Sequence, residues 1–200
     1  MMADHATVPL RKAVTKRKRT GAHFTPPDLA NVVANRILGA ISHVQKPVLR
    51  VLDPSCGDGE LLLAFEEAAP EHIREKMMLI GVEADEEHIA RAEDRLRGRV
   101  GSRARFVRGD FLEMAEARFD QPSFFSDRSI PDLLREPADA IIANPPYVRT
   151  QILGSEKAQR LASSFELTGR VDLYHAFLIA MTRQLSPGGV LGVITSNRFL

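Results

Sequence analysis

The four residues Asn144-Pro145-Pro146-Tyr147 are the most distinctive chemical pattern in the sequence. They follow the apolar run Ala140-Ile141-Ile142-Ala143, which predicts that they lie at the end of a buried strand. Proline fixes the backbone and lacks an N–H group, so the carbonyls of this turn are left free to accept hydrogen bonds. These carbonyls and the side-chain oxygen of Asn144 together predict a pair of acceptors for an exocyclic –NH₂ group. Bonding both hydrogens directs the lone pair of that nitrogen toward an electrophile, and Tyr147 can stack on the attached base.

A second candidate site lies between the first predicted strand and the helix after it. It consists of Asp53, Pro54, Ser55, Cys56, Gly57, Asp58 and Gly59. Gly57 and Gly59 allow a ligand to approach the backbone closely, and the helix N-terminus can receive an anion such as a carboxylate. Leu62 stands where a dinucleotide-binding pattern needs a third Gly or Ala, which argues against a nicotinamide cofactor.

Acidic residues also follow the next two predicted strands. Glu83, with Ala84 after it, stands 26 positions beyond Gly57, where an acid in a nucleotide-binding fold accepts hydrogen bonds from both ribose hydroxyls. Asp110 and Phe111 are suited to bind an adenine amine and to pack on its ring. These residues predict a cofactor that contains a ribose.

The elements that must position these residues alternate between short apolar runs and helical periodicity, which is typical of an α/β fold. Strands are predicted at 48–53, 78–83, 104–108, 138–143 and 190–195. Helices are predicted from the Thr25-Pro26-Pro27-Asp28 entry signal to about residue 43, and at 60–69, 86–97 and 173–185. Residues 111–137 are predicted to be irregular, 148–168 to be a mobile loop or short helix, and 186–189 to be a turn. Right-handed crossovers between parallel strands predict a Rossmann-like, open doubly wound sheet with ligands at the carboxyl ends of its strands.

Composition excludes several classes of protein. No apolar run approaches the roughly 18 residues of a membrane span, and residues 1–10 lack the apolar core of a secretory signal, so we expect a cytoplasmic chain without membrane contact. The single cysteine, Cys56, excludes an internal disulfide bond. The six histidines show no zinc-ligand spacing, so no metal site is predicted.

The near-neutral balance of 27 basic and 26 acidic residues hides a basic N-terminal tail. Residues 1–20 contain six basic residues and one acidic residue, which leaves 21 basic and 25 acidic residues in positions 21–200. That balance is unusual for a self-sufficient nucleic-acid binder. The tail fits either a disordered solubilising arm or an arm that contacts phosphates.

The order of the motifs over residues 20–200 resembles that of the gamma class of S-adenosylmethionine-dependent DNA adenine-N6 methyltransferases. These are the TaqI-like enzymes of restriction-modification and related phage-defence systems. The resembling segments are His23-Phe24-Thr25-Pro26-Pro27 (motif X), Asp53 to Gly59 (motif I), Gly81-Val82-Glu83-Ala84-Asp85 (motif II), Asp110-Phe111 (motif III) and Asn144 to Tyr147 (motif IV). Gly169 to Tyr174 resembles a family stretch that often ends Asn-Leu-Tyr, with Asp172 here in place of that Asn.

The resemblance implies that residues 21–200 form a catalytic domain of the class I methyltransferase type that binds S-adenosyl-L-methionine. Thr25 and Pro26 would contact its methionine part and the Asp53 to Gly59 loop would surround it. Glu83 would hold the ribose, Asp110 the adenine amine and Phe111 the adenine face. The target adenine would be flipped out of double-stranded DNA, gripped by Asn144 and the Pro145 carbonyl, stacked on Tyr147 and methylated directly at N6. No covalent intermediate is needed, so Cys56 is expected to be inert, and His175 and Phe177 are expected to be packing or surface residues.

In the family, further strands and a target-recognition domain follow the position of Leu200. The resemblance therefore implies a catalytic domain that stops after its fifth strand, completed by a C-terminal region or a separate target-recognition subunit. Two other functions stay open. One is a methyltransferase that acts on an RNA base amine or a protein glutamine amide, and the other is a catalytically impaired fragment that binds only cofactor or a partner. The N-terminal motif X and the Asp-Pro-Ser-Cys-Gly-Asp-Gly loop favour DNA.

Overall fold

The computed structural model describes residues 25–41, 45–100, 103–119, 131–147, 155–168 and 173–195. Within them, five parallel strands form one sheet: β1 Leu49–Asp53, β2 Met77–Glu83, β3 Ala104–Arg108, β4 Ala138–Ala143 and β5 Leu185–Val193. The strand order is β3-β2-β1-β4-β5, so the chain builds outward from β1 to β3 and then crosses to β4. The topological switch point, where this type of sheet binds ligands, therefore lies between β1 and β4.

Helices in the described ranges cover both faces of the sheet. They are α1 Pro27–Ile41, α2 Glu60–Ala68, α3 Glu71–Arg74, α4 Glu86–Val100, α5 Phe111–Phe119, α6 Asp132–Arg135, α7 Ser155–Ser164 and α8 Leu173–Gln184. One apolar cluster joins α1 and α2 to one face of the sheet, and a second joins α5, α7 and α8 to the other. All six residues of β4 are buried, which is expected of a parallel strand covered on both faces. The predicted doubly wound α/β fold is confirmed.

Along β4 the side chains alternate between the two clusters. Ala140 and Ile142 pack in the first cluster, and Ile141 and Ala143 pack in the second. The strand, which lies between β1 and β5, is therefore covered on both faces. Its carboxyl end delivers the next residue, Asn144, to the edge at the switch point.

The observed bounds of β3 and β4 match the prediction, but several other segments differ. The stretch 111–137, predicted to be irregular, contains α5 and α6, because Leu112 and Ala115 supply a buried face at helical spacing. The segment 148–168, predicted as a loop or short helix, contains α7. Leu161 in this helix and Phe165 just after its end are buried, one helical turn apart. Residues 120–130 and 148–154 lie outside the described ranges.

The third difference concerns residues 186–189, which were predicted as a turn and instead belong to β5. The pairing of β4 with β5 shifts register between Ala138 and Ala140, which accommodates this Pro- and Gly-containing segment as an irregular start to the strand. Gly188 supplies the positive φ of 78° that the irregularity requires. The predicted first helix also ends earlier, at Ile41, with residues 42–44 outside the described part.

The amino edge of the sheet, opposite the switch point, is held by the buried carboxylate of Asp139. It accepts hydrogen bonds from the backbone N–H of Arg50 (3.0 Å) and the hydroxyl of Ser186 (3.0 Å), and it pairs with Lys46. Burial alone would raise the pKa of Asp139, but these hydrogen bonds lower it. This network ties β1, β4 and β5 together far from the candidate site.

The basic tail (1–20), His23-Phe24 and residues 169–172 lie outside what the structure describes. No helix in the described ranges is long and apolar enough to cross a membrane.

Candidate active site

The carboxyl ends of β1 to β4 bring the predicted site residues to one edge of the sheet. Asp53, the last residue of β1, pairs with Gly81 of β2, and Glu83 pairs with Arg108 of β3. Gly109, the first residue after β3, is also held to β2, because its N–H donates a hydrogen bond of 2.9 Å to the carbonyl of Glu83. The segments predicted separately as motifs I, II, III and IV therefore leave adjacent strands side by side.

Asn144 is held between Thr25 and Tyr147. Its amide nitrogen donates a hydrogen bond of 3.1 Å to the Thr25 hydroxyl. The Tyr147 hydroxyl lies 3.1 Å from the Asn144 side-chain oxygen and 2.8 Å from the carbonyl oxygen of Ile194. Tyrosine has one hydroxyl proton, and the shorter contact assigns it to the Ile194 carbonyl. The Asn144 oxygen therefore keeps acceptor capacity for another donor.

The Tyr147 ring packs against a second aromatic ring. It lies nearly parallel to the ring of Tyr174, with 6.2 Å between centroids and 17° between planes. Burial, together with the nearby Tyr174, raises the pKa of Tyr147, so its phenol stays neutral. Pro145 is buried and Pro146 is half-buried, which gives the turn a rigid base.

The Asp53 to Gly59 loop turns sharply back from the end of β1 into α2. Gly57 and Gly59 adopt positive φ angles of 53° and 83°, and Gly59 is the N-cap of α2. The loop is anchored by the Cys56 N–H, which donates to the Val82 carbonyl (2.9 Å), and by the Ser55 hydroxyl, which donates to the Asn144 carbonyl (3.4 Å). This second contact joins the candidate cofactor loop directly to the turn that begins with Asn144.

Space for a ligand opens above Gly57. A Cβ built there would meet no atom of the described residues within 4 Å, whereas one at Gly59 would lie 3.1 Å from the Cβ of Ala92. Gly59 is therefore required for packing against α4, while Gly57 leaves its backbone accessible. The arrangement fits the close approach of a cofactor at Gly57.

Asp53 is almost completely buried, with 1% of its surface exposed. One carboxyl oxygen accepts a hydrogen bond of 3.0 Å from the Ser55 N–H, and the other has no hydrogen-bond partner among the described residues. Burial raises the pKa of Asp53 to about 8, against the effect of the Ser55 bond, and the charge of Glu83 adds to the rise. The side chain is therefore mostly protonated at neutral pH. A cationic ligand beside its unpartnered oxygen would lower this pKa and favour the ionised carboxylate.

Glu83 links motif II to the glycine loop. One carboxylate oxygen accepts from the Asp85 N–H (2.9 Å) and the other from the Gly57 N–H (3.1 Å). A carboxylate offers about four acceptor positions, so two remain for the hydroxyls of a ribose. The neighbouring Ala84 is exposed.

Asp110 and Phe111 lie at the start of α5. Asp110 accepts a hydrogen bond from the Leu112 N–H (3.0 Å) with one oxygen and from the Lys157 ammonium (2.9 Å) with the other. Phe111 is 3% exposed, and its ring packs on Phe177 with 5.9 Å between centroids and 29° between planes. Phe177 is thus a packing residue, as predicted, and it supports the ring predicted to touch an adenine.

Two cations that pattern reasoning did not single out also brace the site. Lys157 reaches Asp110 from α7, and Arg95 of α4 reaches the glycine loop. Arg95 donates to the Asp58 carbonyl (3.1 Å) and pairs with the Glu60 carboxylate (2.5 Å). Neither residue belongs to a local motif, because each finds its partner through the packing of a separate helix.

Cys56 is buried, and burial raises the pKa of its thiol well above the usual range. The negative charge of Glu83 acts in the same direction. A thiol held in this protonated form is a poor nucleophile. Cys56 is therefore not suited to form a covalent intermediate.

Comparison with known proteins places the chain in a family. Residues 10–200 match the family described as N-6 DNA Methylase. The Type II methyltransferase M.BanIII of Aneurinibacillus aneurinilyticus is 47% identical over 196 residues, covering 96% of this chain and 33% of that protein.

Two solved structures share the fold. A Listeria monocytogenes protein described as a class I S-adenosylmethionine-dependent methyltransferase matches with a TM-score of 0.64 at 20% identity, over 95% of this chain and 53% of that one. The methyltransferase subunit of a type I restriction-modification system from Streptococcus thermophilus matches with a TM-score of 0.61 at 18% identity, over 92% and 37%. The chain spans about a third of the length of M.BanIII and M.BstVI, two curated relatives that it matches. The match over residues 10–200 establishes that this chain belongs to the N-6 DNA methylase family.

Proposed function

We propose that the chain is the catalytic part of a site-specific DNA methyltransferase, which transfers a methyl group from S-adenosyl-L-methionine to the N6 amine of adenine. The observation that carries the proposal is the position of Asn144. Its side-chain oxygen keeps acceptor capacity, and its backbone carbonyl contacts Ser55 of the candidate cofactor loop. An amine held by Asn144 would therefore lie beside whatever the loop binds.

The residues around the loop fit S-adenosyl-L-methionine. The unpartnered oxygen of Asp53 and the open space above Gly57 suit the ammonium and backbone of its methionine part. Thr25 and Pro26 would contact the same part, because Thr25 is hydrogen-bonded to Asn144. When bound, the cofactor supplies an electrophilic methyl group on a sulfonium.

The rest of the loop and the next two strand ends complete the proposed site. The methionine part would be surrounded by backbone groups of the loop residues Asp53, Pro54, Ser55, Cys56, Gly57, Asp58 and Gly59. Glu83, beside Ala84, would hold the ribose hydroxyls with its two remaining acceptor positions. Asp110 would accept a hydrogen bond from the adenine amine, and Phe111 would pack on the adenine face.

In the proposed reaction, the chain grips and orients the target amine. The Asn144 oxygen and the Pro145 carbonyl each accept one N–H of the flipped adenine, which turns the nitrogen lone pair toward the methyl group. Pro146 holds the turn rigid, and the Tyr147 ring stacks on the extruded base. The raised pKa of the Cys56 thiol argues against that residue as a nucleophile, which is consistent with direct transfer.

We further infer that a region outside these 200 residues selects the DNA sequence. The matched relatives are about three times as long as the part that this chain covers, and one structural neighbour is a methyltransferase subunit of a larger system. That region is either a continuation of the same polypeptide or a separate target-recognition subunit. Double-stranded DNA is the proposed substrate in both arrangements.

The test is transfer of labelled methyl groups from S-adenosyl-L-methionine into unmethylated DNA, with products resolved as nucleosides. We expect N6-methyladenine from the wild-type chain. Asn144→Ala should reduce its formation by a factor of about 100 or more, as for loss of a central transition-state contact, while the Kd for S-adenosylhomocysteine changes little.

Glu83→Ala is the matched variant on the cofactor side. It should weaken binding of S-adenosylhomocysteine, because it removes the proposed ribose acceptor. The opposite pattern in the two variants would refute the assigned roles. Label in RNA or protein, with none in DNA, would refute the proposed substrate.

A further inference from the structure

The carboxylate of Asp110 is held by a lysine from a separate helix on the same face of the sheet. The Lys157 ammonium lies 2.9 Å from one Asp110 oxygen and 3.4 Å from Glu113, and both members of the Lys157–Asp110 pair are about 30% exposed. Lys157 belongs to α7, which begins eight residues after Tyr147. The lysine thus contacts the proposed cofactor side of the site from a helix that follows the Asn144-to-Tyr147 turn in the sequence.

Helix α7 does not need this lysine in order to dock. Leu161 and Phe165, at its C-terminal end, are fully buried in the same apolar cluster as Phe111 and Phe177. Arg160 adds a contact of 3.3 Å to Glu116 of α5. Burial of two large apolar side chains contributes far more to docking than one partly exposed ion pair.

The ion pair therefore has a different consequence, which concerns the carboxylate itself. One Asp110 oxygen accepts a hydrogen bond from the Leu112 N–H and the other accepts one from Lys157. These two donors, both at hydrogen-bonding distance, fix the plane of the carboxylate. Burial alone would lower the pKa of Lys157, but the hydrogen bonds and charges of Asp110 and Glu113 raise it, so the lysine stays charged. A carboxylate fixed in this way keeps free lone pairs in a defined direction.

We propose that Lys157 is a positioning residue of the cofactor site, which orients the Asp110 carboxylate to accept a hydrogen bond from the cofactor's adenine amine and so selects adenine over hypoxanthine. The inference rests on the proposed role of Asp110 as the acceptor for that amine. Hypoxanthine presents a carbonyl oxygen at the same ring position. A carboxylate held as an acceptor repels it.

The experiment measures the Kd of S-adenosylhomocysteine and of S-inosylhomocysteine by calorimetry, so it does not depend on methyl transfer. The wild-type chain should prefer the adenosyl compound. Lys157→Met keeps a side chain of similar length without the charge. It should raise the Kd of S-adenosylhomocysteine about 3- to 10-fold, because the hydrogen bond from the adenine amine to the Asp110 carboxylate is weakened. The Kd of S-inosylhomocysteine should change by less than about twofold.

Two further variants separate positioning from structure. Lys157→Arg should restore the preference. Glu113→Gln removes the other partner of the same lysine and should leave the preference at the wild-type value. Thermal melting confirms that each variant is folded.

Each result bears on a different assignment. Equal weakening of both compounds by Lys157→Met, or an unchanged preference, would overturn the role of Lys157. A wild-type chain that binds both compounds equally would overturn the role of Asp110, and with it this inference. Asn144 and methyl transfer are not involved in either outcome.

Discussion

The side-chain amide of Asn144 donates a hydrogen bond of 3.1 Å to the hydroxyl of Thr25, 119 positions earlier in the chain. The contact determines the orientation of the amide, because it places the nitrogen toward α1 and the oxygen toward Tyr147. The N-terminal segment before β1 therefore orients the acceptor that, in the proposed reaction, grips the target amine. That proposal gives Thr25 an orienting role in addition to any contact with the cofactor.

Thr25→Val tests that role. The variant keeps the shape of the side chain but removes the acceptor for the Asn144 amide, so the amide loses its fixed orientation. We expect the methyl-transfer rate at saturating cofactor to fall about fivefold, which corresponds to one neutral hydrogen bond of roughly 1 kcal/mol. Thr25→Ser, which keeps the hydroxyl, should retain the rate. If Thr25→Val changed only the Kd for the cofactor, the orienting role would be wrong.

The fold and most of the candidate site could be predicted because both depend on local patterns. The runs 104–108 and 138–143 are apolar enough to mark β3 and β4 without error. Parallel topology then brings whatever follows each strand to the same edge. Asn144, Glu83 and the glycine loop could be located together for that reason.

The contacts made by Lys157, Arg95 and Phe177 could not be predicted in the same way. Each depends on how a separate helix packs, and their partners lie 35 to 66 positions away. Helix α7 was predicted only as a loop or short helix, so nothing in the sequence placed Lys157 beside Asp110. The buried and protonated state of Asp53 also required the structure, since the same Asp in an exposed turn would be ionised.

Asp53 predicts a pH dependence of stability. Its pKa rises from 3.8 to about 8 on folding, so the native chain binds more protons than the unfolded chain between these values. The free energy of unfolding contributed by Asp53 is therefore fully present below about pH 4, falls as pH rises, and levels off above about pH 8. The slope from one such group is at most about 1.4 kcal/mol per pH unit.

Asp53→Asn should remove that slope while keeping the oxygen that accepts from the Ser55 N–H. Urea denaturation of both proteins at several values between pH 5 and pH 8 measures the difference. We expect the free energy of unfolding of the variant to depend less steeply on pH in this window. Parallel curves for the two proteins would show that Asp53 is ionised in the native state.

Cys56 is predicted to be unreactive and dispensable for transfer. Its thiol is buried and its raised pKa keeps it protonated, so iodoacetamide should label it in urea but hardly in the native chain at pH 8. Cys56→Ala removes only the sulfur next to Gly81, and the methyl-transfer rate should stay within a few-fold of wild type. A loss as large as that of Asn144→Ala would instead indicate a covalent mechanism.

The last prediction separates the ring of Tyr147 from its hydroxyl. The hydroxyl bonds the Ile194 carbonyl and the ring lies against Tyr174, so each part has a distinct partner. If the ring stacks on the flipped adenine, Tyr147→Ala should lower kcat/KM for DNA by about 5- to 150-fold, the range expected for loss of one base–aromatic stack of roughly 1–3 kcal/mol. Tyr147→Phe keeps the ring and should lose only a few-fold, from the missing bond to Ile194. Equal losses in the two variants would mean that the hydroxyl, by anchoring the turn beside Asn144, matters more than stacking on the base.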